Sequence, residues 1–243
     1  MILAVLLTMI QAPTATAGDT ALTVQGILVA VPAAGGRAAT WAVQLLQPIT
    51  LGRVKTNVLE LQGNPRAWTR WADRYVEARG RVVVDPGAGQ LVARLEGARV
   101  NPAKPPGLVE RRVRLSHSQQ AVVTLAVVPN VIRAPVPDAP AAARPVVLYT
   151  ISNVGMTDLE FYFPNTKAVC VTVAPRGGPL WEDPTELRQQ AGSAVTIRMG
   201  VMFRQLLPLP AEATPVPGRH EVRASLCGVS DYEVTTELWV IAP

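Results

Sequence analysis

The chain has 243 residues and a formal net charge of +5; 49% of its residues are apolar, and aromatic residues make up only 5%. Enough apolar side chains are present for real hydrophobic cores, so the composition excludes disorder as the main state. The apolar residues are mostly Val, Leu and Ala, with 22 prolines and 18 glycines spread along the chain, which favours short strands and turns over long helices. We therefore expect an all-β protein.

The N-terminus predicts export. Residues 2–10 are apolar apart from Thr8, which is the length of the hydrophobic part of a secretory signal and too short to cross a bilayer as a helix. Ala15 and Ala17 are small residues of the kind that a signal peptidase reads. We predict a signal peptide over residues 1–17, cleavage after Ala17, and a secreted or periplasmic protein. The leader has no basic residue near Met1, so a misassigned start codon or a buried first strand remain alternatives.

Residues 18–100 predict a five-stranded barrel with one short helix. The order of elements is strand, strand, strand, helix, strand, strand, which is the order of an OB-fold. The predicted strands cover residues 21–31, 39–51, 56–64, 75–85 and 90–100.

The helix is predicted within "NPRAWTRWADRY", residues 64–75. Asn64 suits the N-cap and Pro65 the first helical position, while Trp68 and Trp71 recur on one face. The segment "WADRYVEARGRVVV" resembles a region of OB-type domains in exported bacterial proteins, where a short helix leads into a Tyr-initiated strand. Ala78 stands where those domains usually have Gly.

Residues 101–120 are rich in proline and charge, and we predict an inter-domain linker there, with room for a short strand at "LVERRVRL". Residues 121–243 predict an immunoglobulin-like β-sandwich of about seven short strands. Two segments, "VLYTISNVG" and "PGRHEVRA", resemble bacterial extracellular Ig-like domains, in which a strand ends in Asn before a turn and a late strand begins "P-G-x-Y". His220 stands in the Tyr position of that second pattern.

The chain has only two cysteines and two histidines, and strand alternation separates them. Val222, Ala224 and Leu226 mark one face as buried, so His220 should point inward and Cys227 outward. The same argument places Cys170 on an outward face. In an oxidising compartment, two such cysteines predict one disulfide, Cys170–Cys227; free thiols or an inter-chain bridge are the alternatives.

Other candidate sites have simpler interpretations. Glu182, Asp183 and Glu186 could suggest a calcium site, but Asp183 followed by Pro184 fits a helix start with a capping box. The Gly-rich segments lie between strands and are read as hairpin turns. No nucleophile is accompanied by a base, so we expect no catalytic residue, no metal and no cofactor.

The charge is uneven along the chain, with basic residues in excess up to residue 120 and a slight acidic excess after it. The linker holds four basic residues that could bind a polyanion, namely Lys104, Arg111, Arg112 and Arg114. Few aromatic residues are available for base stacking, so nucleic acid is disfavoured as a partner.

The sequence thus predicts an exported, non-catalytic binding or scaffolding protein of the bacterial envelope or exterior that contacts another protein. The alternatives are binding of an anionic polysaccharide through the OB-like half and linker, and protease inhibition by the Ig-like half.

Overall fold

The computed structural model describes residues 21–242, apart from 32–39, 53, 88–89, 135–143, 165–166, 176–179, 184–191 and 215. The predicted signal peptide and its cleavage site, as well as Glu186, lie outside the described residues. The described chain is all-β, as predicted, with one short helix. It divides into two compact units, the first ending at Ala103 and the second beginning at Lys104.

The described residues of the first unit form five strands: β1 (Ala21–Val31), β2 (Thr40–Leu51), β3 (Val54–Leu61), β4 (Tyr75–Gly87) and β5 (Gln90–Pro102). Their pairing closes on itself in the order β1-β2-β3-β5-β4, with β4 returning to β1. All the pairs are antiparallel except β3 with β5. Apolar side chains at alternate positions, such as Leu22 and Val24 on β1, point to one shared hydrophobic core.

The helix of this unit is shorter than the sequence predicts. Helix α1 covers Pro65–Trp68, and a 3₁₀ turn over Thr69–Trp71 follows it. Pro65 occupies the start of the helix as expected, but the Asn64 side chain makes no capping hydrogen bond. Trp68 is buried in the core, so the element is held mainly by that one side chain. A helix this short gains little from backbone hydrogen bonds, because nucleation is costly.

The described residues of the second unit form eleven strands in three sheets. One sheet has the order β14-β9-β7-β6, a second has the order β12-β11-β15-β16-β8, and β10 pairs with β13. The strands are β6 (Val109–Arg114), β7 (Gln120–Val128), β8 (Val131–Arg133), β9 (Val146–Asn153), β10 (Leu159–Phe163), β11 (Val169–Pro175), β12 (Trp181–Glu182), β13 (Ser193–Ile197), β14 (Met202–Pro208), β15 (Gly218–Leu226) and β16 (Val229–Ile241).

The three sheets share one hydrophobic core. Side chains from one face of each sheet enter it, including Tyr149 of β9, Phe161 of β10 and Tyr232 of β16. The rings of Phe161 and Tyr232 meet edge to face with their centroids 5.1 Å apart. The Tyr149 hydroxyl donates to the Tyr232 carbonyl at 2.8 Å, so a buried polar atom also joins two of the sheets.

The segment predicted as a linker is partly strand. β6, which covers most of "LVERRVRL", pairs with β7 along its whole length and belongs to the second unit. Its charged residues hide the strand pattern, because an edge strand can expose side chains on both faces. β14 is absent from the strands expected from the sequence; it pairs with β9 at the other edge of the same sheet.

Candidate interaction surface

The two cysteines form the expected disulfide. Cys170 on β11 and Cys227, just after β15, are bridged with their Cα atoms 5.0 Å apart. The bridge joins two neighbouring strands, since Val169 lies opposite Leu226 in the ladder and the Cys227 N–H donates to the Ala168 carbonyl. The bridge therefore reinforces an existing ladder, and neither sulfur is available as a thiol.

His220 is fully buried on the inner face of β15. Its Nδ1 lies 3.3 Å from the Gly218 carbonyl oxygen, and its Nε2 is buried without a hydrogen-bond partner among the described residues. Burial lowers the pKa of the imidazole, and the hydrogen bond to Gly218 opposes that shift in part. The predicted inward orientation is confirmed, and His220 is a neutral core residue.

The acidic segment begins with a short strand, and the helix that the sequence predicts from Pro184 lies outside the described residues. Trp181 and Glu182 form β12 beside β11, and the Asp183 N–H donates to the Val171 carbonyl at 3.0 Å. The Asp183 carboxylate pairs with Lys167 at 3.2 Å, so its charge is already balanced. Within the described ranges, no group of three or more His, Cys, Asp or Glu could hold a metal ion.

The basic residues of β6 lie on both faces of the strand. Alternation along the strand puts Arg111 on one face and Arg112 and Arg114 on the other. Arg111 donates to the Glu233 carbonyl of β16 at 2.8 Å, which spans two sheets, and Arg114 contacts Nδ1 of His117 at 2.7 Å. Arg112 lies 3.9 Å from Glu110. Lys104 is exposed ahead of the strand. The three predicted arginine ligands are therefore divided between the two faces of β6, and each already has a neighbour within the chain.

A more organised surface lies at one end of the second unit, where three turns meet. We call the turns at residues 115–119, 154–158 and 198–201 the loop end. Backbone hydrogen bonds hold the turns together: Met156 N–H donates to the Ser118 carbonyl at 2.8 Å, and Gly200 N–H donates to the Asn153 carbonyl at 3.1 Å.

Asn153, at the end of β9, is the buried centre of the loop end. Its side-chain amide donates to the carbonyls of Thr157 and Ile197 at 2.9 and 2.8 Å, and its side-chain oxygen accepts the Gly155 N–H at 3.0 Å. Gly155 is required here because a Cβ at that position would lie 2.3 Å from the Ser118 carbonyl oxygen. The "S-N-V-G" segment of the sequence thus encodes a tightly fixed turn.

The fixed turns expose large apolar side chains. Met156 is 71% exposed and Met199 61% exposed, and Leu115, Val154 and Val201 are each about half exposed. Exposed Arg114 and Arg198 border them. Methionine and arginine are enriched in protein interfaces, and loops on a rigid scaffold commonly carry binding residues. Sequence reasoning missed this surface, because its members are scattered over almost 90 residues and only the turns bring them together.

No helix among the described residues is long and apolar enough to cross a membrane. No protein-family model matches the sequence, and no curated protein is significantly similar to it.

Proposed function

We propose that the protein is an exported, non-catalytic binding protein of the bacterial envelope or exterior, and that the loop end contacts a protein partner. In this proposal the first unit is an OB-like barrel and the second an Ig-like sandwich. The closed strand order β1-β2-β3-β5-β4 with α1 between β3 and β4 supports the first assignment. The antiparallel strands around one core support the second.

Export is supported by the disulfide. Bridges of this kind form and persist in oxidising compartments, and they are rare in proteins that stay in the reducing cytosol. The signal peptide that the sequence predicts at residues 1–17 agrees with this location.

The observation that carries the binding proposal is the combination of order and exposure at the loop end. Flexible apolar loops would lose conformational entropy on binding, whereas turns already fixed by Asn153 lose little. Met156 and Met199 then offer an adaptable apolar surface, because thioether side chains fit many shapes. A protein with a complementary apolar patch is the partner that this surface fits best.

Site-specific photocrosslinking in the exporting cell tests the proposal. A photoreactive amino acid replaces Met156 in one strain and Tyr162 in another; Tyr162 is a matched control because it is 76% exposed on β10. We expect one protein adduct that depends on the probe at position 156. Identical adducts from both positions would contradict the proposal.

Affinity for the crosslinked partner, once purified, gives the second measurement. Met156→Glu with Met199→Glu should weaken binding at least tenfold, because a charge would be buried in an apolar interface. The control is Trp239→Ala, which removes an exposed apolar side chain on β16. Loss of binding in the Trp239 variant alone would assign the interface to β16 instead.

A further inference from the structure

On the described outward face of β4 and β5, two of the four arginines have a carboxylate partner. Arg81 forms an ion pair with Glu96, and Arg94 with Glu60. Glu77 accepts a hydrogen bond from Gln25 at 3.2 Å. Ion pairs between neighbouring strands stabilise a sheet surface modestly. They also show which charged side chains already have a partner within the protein.

Arg79 and Arg99 are the exception. They lie directly opposite each other in the β4–β5 ladder, both are exposed, and neither has an ion-pair or hydrogen-bond partner among the described residues. Thr23 of β1 lies on the other side of Arg79 and is also exposed. Like charges at directly opposite positions repel, so this arrangement costs stability when nothing binds there.

A β-bulge creates the arrangement. The register shifts between Arg79 and Arg81, so that Gly97 and Ala98 together stand opposite Gly80. Gly97 has φ +60, a left-handed conformation that suits glycine. Without the extra residue, alternation from Glu96 would place Arg99 on the core side of the sheet. The bulge therefore turns Arg99 outward and places it directly opposite Arg79 in the ladder.

We propose that Arg79 and Arg99, with the Thr23 hydroxyl beside them, form a binding site for a tetrahedral oxyanion group, a phosphate or sulfate ester. Two guanidinium groups offer parallel N–H donors that match the oxygens of such a group, and its negative charge cancels their mutual repulsion. This site is independent of the loop end. It also differs from the basic set of β6, whose arginines Arg111 and Arg114 already have partners within the chain.

Titration of the full chain with inorganic phosphate, inorganic sulfate and acetate, at constant ionic strength, tests the proposal. The NMR signals of the two arginine Nε–H groups should shift saturably with phosphate or sulfate. A response to one of these two ions and not the other identifies which ester the site prefers. At ten times the Kd, the bound ion should raise the melting temperature of the first unit by about 7 °C and leave that of the second unit unchanged.

Three single variants distinguish binding by the arginine pair from an effect of general surface charge. Arg79→Gln or Arg99→Gln should lower the affinity at least tenfold, and both positions are exposed, so the fold should persist. Lys55→Gln, which removes an exposed positive charge from β3, should change the affinity by less than twofold. The proposal is overturned if no saturable shift occurs, if acetate acts as strongly as phosphate and sulfate, or if Lys55→Gln weakens binding as much as the arginine variants do.

Discussion

Removal of the Cys170–Cys227 bridge should destabilise the second unit by about 4 kcal/mol. The bridge closes a loop with a sequence separation of 57 residues. Loop-closure entropy for that length is roughly 14 cal/mol/K, or about 4 kcal/mol at 25 °C, and it acts by restricting the unfolded chain. For a unit of about 140 residues, this loss lowers the melting temperature by roughly 12 °C.

Alanine is a better replacement than serine for the two cysteines. Cys227 is half-buried against the core, and a serine hydroxyl there would need a hydrogen-bond partner. The double variant Cys170→Ala/Cys227→Ala avoids a lone thiol that could join two chains. Calorimetry or circular dichroism would follow its thermal unfolding beside that of the native chain. Reduction of the native chain should give the same melting temperature as the double variant.

The first unit provides an internal control, since it has its own hydrophobic core and no cysteine. The melting temperature of the first unit should be unchanged, while that of the second unit falls. A loss below about 1 kcal/mol in the second unit would refute the reasoning. It would mean that the unfolded chain already holds these strands together, so that the bridge restricts it little.

Two further predictions concern buried polar side chains. Asn153→Ala should cost about 3 kcal/mol in a urea titration, because two carbonyl groups lose their donor; an unchanged midpoint would contradict its central role. His220 has a lowered pKa, so the unfolded state binds a proton that the folded state does not. The contribution of His220 to the stability of the second unit should therefore be complete above pH 6.5, the ordinary pKa of histidine, and be lost below it. The melting temperature of that unit should fall by at most about 4 °C per pH unit. His220→Gln should remove this dependence, whereas the control His117→Gln, at an exposed site, should keep it.

Local pattern was sufficient wherever one face of a strand is buried. Alternating apolar residues around Val169 and Val222 predicted β11 and β15, the inward imidazole of His220 and the bridged cysteines, because burial on a pleated strand has a period of two. Composition likewise predicted the all-β class. These features depend on residues that are neighbours in sequence or on a single buried strand face, and the amino-acid sequence shows both directly.

The remaining features depend on partners that are distant in sequence. The sequence of β6 is typical of a charged linker, and its pairing with β7 makes it a strand. β14 likewise forms a strand by pairing with β9, although its side chains are mostly half-buried. The helix after Asn64 ends early, since its burial comes from Trp68 and not from a whole helical face. In each case a tertiary contact contributes more free energy than local secondary-structure propensity. Propensity alone is therefore a poor predictor of these elements.

Both proposed sites belong to this second class. Turns that are far apart in the chain meet around Asn153 and place Met156 and Met199 at the same loop end, and one extra residue at Gly97 places Arg99 opposite Arg79. Strand periodicity established which residues are inside the protein. Only the folded ladders decide which exposed residues are neighbours, because proximity between separate strands is set by register and hydrogen bonding and not by spacing along the chain.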